Sequence, residues 1–216
     1  MKKLKITQTE NQKVFYTSDT HYAHKNICRG VSEWGDLEAS TRDFKTIEQM
    51  NNTLVSCINK TVGRKDILFH GGDWSFGGVK MIGEFRRRIN CENVHLIYGN
   101  HDEHIDEDET GELQGLFSTV QHYKEVVVDK DMMCLFHFKQ TIWNKMHRDT
   151  YHLYGHSHAG AEHVVNGKSM DIGVDNAFRL LGEYRPFSHE EVLYFLKGRK
   201  VKVIDHHGSK GTEKHG

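Results

Sequence analysis

The sequence has a single proline, Pro186, in 216 residues, so no Pro-rich linker divides it. Cysteine is scarce too. Cys28, Cys57, Cys91 and Cys134 form no C-x-x-C pair, which excludes a cysteine-type zinc site. Their wide spacing predicts reduced thiols in a cytoplasmic protein. No apolar stretch approaches the length of a membrane span. The basic start Met1-Lys2-Lys3-Leu4-Lys5 lacks the apolar stretch of a signal peptide, so none is expected. Charge of one sign is also missing: 29 Lys and Arg stand against 30 Asp and Glu, which leaves no electrostatic footprint for non-specific nucleic-acid binding. What remains is an ordinary globular composition, long enough for one domain with a real core. The expectation is a single domain over residues 1–204 and a polar, frayed tail over 205–216.

What is present in excess is histidine, 17 in all. Several lie in short polar segments that follow apolar runs. Val14-Phe15-Tyr16 leads to Asp19-Thr20-His21, and Ile67-Leu68-Phe69 leads to Gly72-Asp73. Residues 94–98 lead to Gly99-Asn100-His101-Asp102, Cys134-Leu135-Phe136 to His137, and His152-Leu153-Tyr154 to Gly155-His156-Ser157-His158. A short apolar run that ends in such groups reads as a buried strand opening onto a site. Five such ends would converge on one pocket of oxygen and nitrogen donors, a set that suits Mn, Fe, Zn or Ni better than a thiolate-loving metal.

Around these strands, residues 41–60 are predicted as an amphipathic helix with a capping box at Ser40 and Asp43, and residues 79–90 as a second helix. Residues 102–112 read as an acidic loop. A hairpin is expected around Asp129-Lys130-Asp131, and another of type I′ at Asn166-Gly167. Ser188 and Glu191 form a capping box for a helix to Leu196, and a last strand is predicted over 201–204. Helix–strand units come first and hairpins follow, which argues for mixed sheets with helices outside.

In this order, Asp19-x-His21, Gly72-Asp73, Gly99-Asn100-His101-Asp102, His137 and Gly155-His156-x-His158 resemble the calcineurin-like metallophosphoesterase superfamily. The match spans residues 19–158. The segment Tyr16-Thr17-Ser18-Asp19-Thr20-His21-Tyr22-Ala23-His24-Lys25-Asn26-Ile27 is most similar to its small bacterial and bacteriophage branch. The resemblance implies an α/β fold, a four-layer α/β/β/α sandwich of two mixed β-sheets flanked by helices. It implies two divalent metal ions, manganese first, with iron, zinc or nickel as alternatives. Asp19, His21 and His158 would bind one metal, Asn100, His137 and His156 the other, and Asp73 would bridge them. His101 would be the general acid and Asp102 its orienting neighbour. The implied reaction is hydrolysis of a small phosphomonoester or phosphodiester, such as a nucleotide or cyclic nucleotide, by attack of a metal-bridging hydroxide. The chain departs from the family twice: Phe76 stands where many members carry a second acid, and no proline lies near His137.

His24 and Asn26, just past the first ligand pair, are candidate substrate contacts, with Arg29 a weaker one and one of Lys139, Lys145 and Arg148 another. Trp74, Phe76 and Trp143 are expected to pack against the sheets rather than to stack on a base, and Arg86-Arg87-Arg88 to form a solvated helix face. The acidic stretch after His101 would repel a long polyanion, which favours a small phosphoester over DNA. A pocket this open could be completed by a second copy of the chain. The rival readings are a nuclease acting on DNA or RNA ends, and a non-enzymatic scaffold of the same fold.

Overall fold

The fold was analysed in a computed structural model that describes residues 3–201. Two five-stranded mixed sheets face each other. One sheet is built on the apolar runs Val14–Thr17 (β2), Ile67–His70 (β3) and Asn93–Ile97 (β4), which lie parallel and side by side. Thr119–Gln121 (β5) extends it in parallel, and Phe187–Ser188 (β10) closes the other edge antiparallel to β2. The other sheet runs in the order Leu4–Ile6 (β1), Tyr123–Val128 (β6), Asp131–Phe136 (β7), Tyr151–Tyr154 (β8) and Ser169–Asp171 (β9). Only β6 and β7 are antiparallel there, joined by a hairpin whose Asp129 is left-handed.

Alternation along the strands sorts the core. Val14, Tyr16, Phe69 and Ile97 point between the sheets and meet Val126, Val128, Leu135 and Leu153. Phe15, Leu68, Val94 and Leu96 point the other way, onto Ile47–Thr61 (α1) and Gly78–Arg88 (α2). Truncating one of these fully buried side chains, Leu68→Ala for example, costs about 2–5 kcal/mol. Val174–Leu181 (α4) and His189–Leu196 (α5) add Ala177, Val192 and Leu196 to the inter-sheet cluster. Trp143 and Met146 cover Cys134 of β7. Among the described residues no helix is long and apolar enough to cross a membrane, and all four cysteines are free thiols.

Several expectations need correction. The first helix starts at Ile47, not at residue 41, because Thr46 accepts from the Gln49 amide and is the real cap. Ser40 instead donates to the Asn26 carbonyl and to Ser32. The acidic stretch holds a short helix, Glu103–Asp106 (α3). No hairpin forms at Asn166-Gly167: β9 pairs parallel to β8, which requires no tight turn. Helix α4 carried no warning, since Gly173 at its start offers no capping side chain. The capping box of α5 is present, with Ser188 and Glu191 bonding each other's backbone. Of the strand predicted over 201–204, Val201 has no regular structure and the rest lies outside the described residues, as does the tail.

Candidate metal centre

The carboxyl ends of β2, β3, β4, β7 and β8 all open onto one side of the molecule, and the candidate ligands sit just past them. Two groups result. Ligand atoms of Asp19, His21 and His158 lie within 4.8 Å of one another, and so do those of Asp73, His137 and His156. Asn100 joins the second group, its Oδ1 3.0 Å from His137 Nε2 and 2.9 Å from His156 Nδ1. Asp73 touches both: its Oδ2 is 3.5 Å from His21 Nε2 and 3.5 Å from His137 Nε2.

The backbone works to make this convergence. Asp19, His21, Asp73, His156 and His158 all have positive φ, between 45° and 65°. Each such residue without the freedom of glycine costs on the order of 1–3 kcal/mol, a strain that gathers at sites where geometry serves function. Glycine is required where the loops touch. A side chain at Gly99 would overlap the Asp73 carboxylate, and one at Gly155 would overlap that of Asp19.

A second layer of contacts fixes the imidazoles. His137 Nδ1 lies 2.8 Å from the Gly71 carbonyl, so it carries the proton and leaves Nε2 facing Asp73. His158 Nδ1 lies 2.7 Å from Asp175 Oδ2. Asp175 is paired with fully buried Arg42 at 2.9 Å, and Arg42 also donates to the Asp19 and Thr20 carbonyls. Asp171 accepts from Ser157 Oγ, Ala159 N and Gly173 N, bracing the turn that carries His156 and His158. Asp102 accepts from the amides of Asp73, Trp74 and Gly99. Its oxygens therefore face the backbone, and no described residue hydrogen-bonds the His101 ring.

Electrostatics and unmet hydrogen bonds say what the pocket would hold. Burial pushes the Asp19 carboxyl up to about 7, against the pull of His158. Burial opposes a charge on His137, yet Asp73 and Asp19 raise it to about 9, so the pocket strongly attracts positive charge. Asp73 is held well below the usual carboxylate range: burial works against this, and His137 and His21 outweigh it. Both ring nitrogens of His21 are buried without a hydrogen-bond partner. An imidazole aimed at two carboxylates with nothing to bond is suited to a cation. Carboxylate, imidazole and amide donors together fit a divalent transition metal in either group.

The two groups open onto a cavity of about 330 Å³, lined by His21, Asp73, His156 and His158 and also by His24, Trp34, Phe76 and His101. His24 reaches it, with Nδ1 fixed by the Ile27 amide. Asn26 does not line the cavity: its Oδ1 caps the Glu33 amide. Trp74 and Trp143 are core residues with indole N–H groups on Ile82 and Thr150 carbonyls, whereas Phe76 faces the cavity, contrary to the packing expected of it. Arg86 is no solvated cation: its guanidinium binds the Ile89, Cys91 and Leu116 carbonyls. Lys139 donates to the Ala161 and Val164 carbonyls and ties down the loop after His158. Sequence reasoning missed Arg42, Asp171 and Asp175. The run Met170-Asp171-Ile172-Gly173-Val174-Asp175 is a sixth apolar segment ending in acid, and could have signalled the last two.

Comparison with known proteins agrees with the fold. No family model matches the chain. The uncharacterized protein MJ1445 of Methanocaldococcus jannaschii is 28% identical over 203 residues, 90% of this chain and 97% of its own. Among solved structures, the protein of unknown function AQ665 from Aquifex aeolicus superposes with a TM-score of 0.61 at 20% identity, over 86% of this chain and all of that one. The two share a fold. A novel archaeal phosphodiesterase is more distant, with a TM-score of 0.41 at 22% identity over 82% of this chain and 99% of its own.

Proposed function

We propose that the chain is a phosphoesterase working with two divalent metal ions, one of the calcineurin-like metallophosphoesterases and of their small bacterial and bacteriophage branch. One observation carries the reading: the Asp73 carboxylate stands between two imidazoles that belong to different ligand groups. That is the place of a residue that bridges two cations about 3.5–4 Å apart. Asp19, His21 and His158 would hold one ion, Asn100, His137 and His156 the other, with Asp73 on both. The donor set favours manganese, with iron, zinc or nickel next. When bound, such ions supply Lewis-acid charge to the phosphoryl oxygens and lower the pKa of water to near neutrality.

The remaining work falls to the chain. His101, exposed and packed edge-on to the His21 ring and tilted against Phe76, is placed to give a proton to the departing oxygen. The His101 amide donates to Asp73 Oδ1 at 3.0 Å, which ties the acid to the bridging carboxylate. Asp102 is a positioning residue that holds the 99–102 and 72–74 segments together through their amides. His24 lines the cavity, its Nδ1 held by the Ile27 amide. Burial lowers the imidazole to about 4, so it serves as a neutral hydrogen-bonding group. The substrate is a small phosphoester, since Glu103, Asp106 and Glu107 lie exposed beyond His101 and would repel a long nucleic acid. Free thiols suit a cytoplasmic setting.

The test is hydrolysis of bis-p-nitrophenyl phosphate and p-nitrophenyl phosphate by purified protein in Mn²⁺. Turnover that is abolished by chelation and restored by the metal is expected. No turnover with Mn²⁺, Fe²⁺, Zn²⁺ or Ni²⁺ would overturn the reading.

A further inference from the structure

The proposed chemistry uses only His24 from one wall of the cavity. Trp34, His24 and Phe76 form a continuous aromatic surface: the Trp34 and His24 rings are 5.6 Å apart, and His24 and Phe76 3.8 Å. Phe76 in turn lies 4.7 Å from His101 and 5.4 Å from His21, so the surface runs from the rim to the ligand groups. Trp34 is 41% exposed, although Trp74 and Trp143 are buried in cores. Ile27, Ala39 and Thr41 complete this side of the cavity, and among the described residues no Lys or Arg lines it. Arg42, the nearest buried cation, is turned away and consumed by Asp175 and two carbonyls. A wall of this kind offers nothing to a sugar phosphate with further charges, but it offers aromatic faces, tilted 60° and 59° to the His24 ring between them, to a planar ring. Its volume suits a ligand the size of one mononucleotide, not a polymer.

Resting on the phosphoesterase reading, we infer that the substrate is a singly charged phosphodiester whose retained arm carries a planar aromatic ring, of nucleobase size, stacked on Trp34 and Phe76. The cavity balances the charges: the ligand groups meet the one phosphodiester charge, and the cation-free wall meets the neutral ring. Phe76 takes this part in place of the second acid expected there, which explains why an aromatic at that position is compatible with a working site. Loss of a base–aromatic stack of this type typically lowers binding by about 5- to 150-fold.

Two esters with the same leaving group isolate the retained arm. In Mn²⁺, kcat/KM for the p-nitrophenyl ester of thymidine 5′-monophosphate is expected to exceed that for methyl p-nitrophenyl phosphate by about tenfold or more, mostly through KM. The ratio should collapse toward one in Trp34→Ala and in Phe76→Ala, and return in large part in Trp34→Phe. Independently of turnover, thymidine 5′-monophosphate should quench the exposed tryptophan's emission where methyl phosphate does not, and Trp34→Phe should abolish the quench. A wild-type ratio near one, or a ratio that both alanine variants preserve, would overturn the ring subsite. If neither ester is hydrolysed, the phosphoesterase reading fails instead, and the quench alone still decides whether the ring binds.

Discussion

Asp19 and His21 sit inside the protein and His158 is half-buried, whereas Asn100 and His156 of the facing group stand at its surface beside buried His137. The two groups are supported differently as well. His158 is held by a charged chain, Asp175 and then fully buried Arg42. His137 is held by a neutral carbonyl, and His156 by the side chain of Asn100. An imidazole bonded to a carboxylate is a more basic and better-oriented ligand than one bonded to an amide oxygen. The comparison teaches that one half of the centre is built as a fixed, buried mount. The other half is open to solvent at Asn100 and His156, and that is where an exchangeable ligand would enter. Asp73 faces an imidazole of each half.

The largest effect should come from removing that link. Asp73→Asn is expected to lower activity by about a thousandfold or more, the scale seen when one member of a cooperating set is lost. Both halves should lose metal together, as read by elemental analysis after gel filtration. His101→Ala should lower kcat by about 10²–10⁴-fold while both halves keep their metal. Loss of metal in that variant would return His101 to the ligand set. Asp175→Asn should separate the halves: metal affinity at the Asp19 group falls by about 10- to 100-fold, measured by competition with a chelator, and the Asp73 group keeps its own. Arg42→Met strips the Asp175 carboxylate of its guanidinium partner, and should lower stability by about 3–5 kcal/mol in urea unfolding.

The smallest effect concerns histidines outside both groups. Burial pushes His152 and His95 down to about 4, the latter with help from Lys124. Each binds a proton more readily when unfolded, so the folded state holds fewer protons between pH 4 and the ordinary histidine value of 6.5. Stability is therefore full above pH 6.5 and falls as pH drops toward 4, by about one proton per histidine in slope. His152→Gln should flatten that slope in urea midpoints, equally with and without metal. A slope that changes only in the metal-loaded protein would place the titration in the centre instead.

The legible part of this molecule was its strand ends. Short apolar runs before Asp19, Asp73, Asn100, His137 and His156 carry both the strand signal and the polar break, and these side chains come together as that pattern requires. The outer supports were not legible. Arg42 and Asp175 are 133 residues apart, and no local pattern links them. Arg42 was also hidden by a false helix start, because Ser40 looked like a cap while Thr46 held the working one. Parallel β9 was mistaken for half of a hairpin because Asn166-Gly167 carries a turn composition, whereas Gly167 serves an open loop at φ 150°. Short edge strands such as β1, β5 and β10 form only through pairing with neighbours, so their sequences alone announce nothing.

The central claim is that Asp73 joins two unequal metal groups, and calorimetric titration of metal-free protein with Mn²⁺ tests it most directly. Two ions per chain, bound in a tight and a weaker step that both disappear in Asp73→Asn, is the expected result. A single ion per chain, or two steps that survive the substitution, would contradict it.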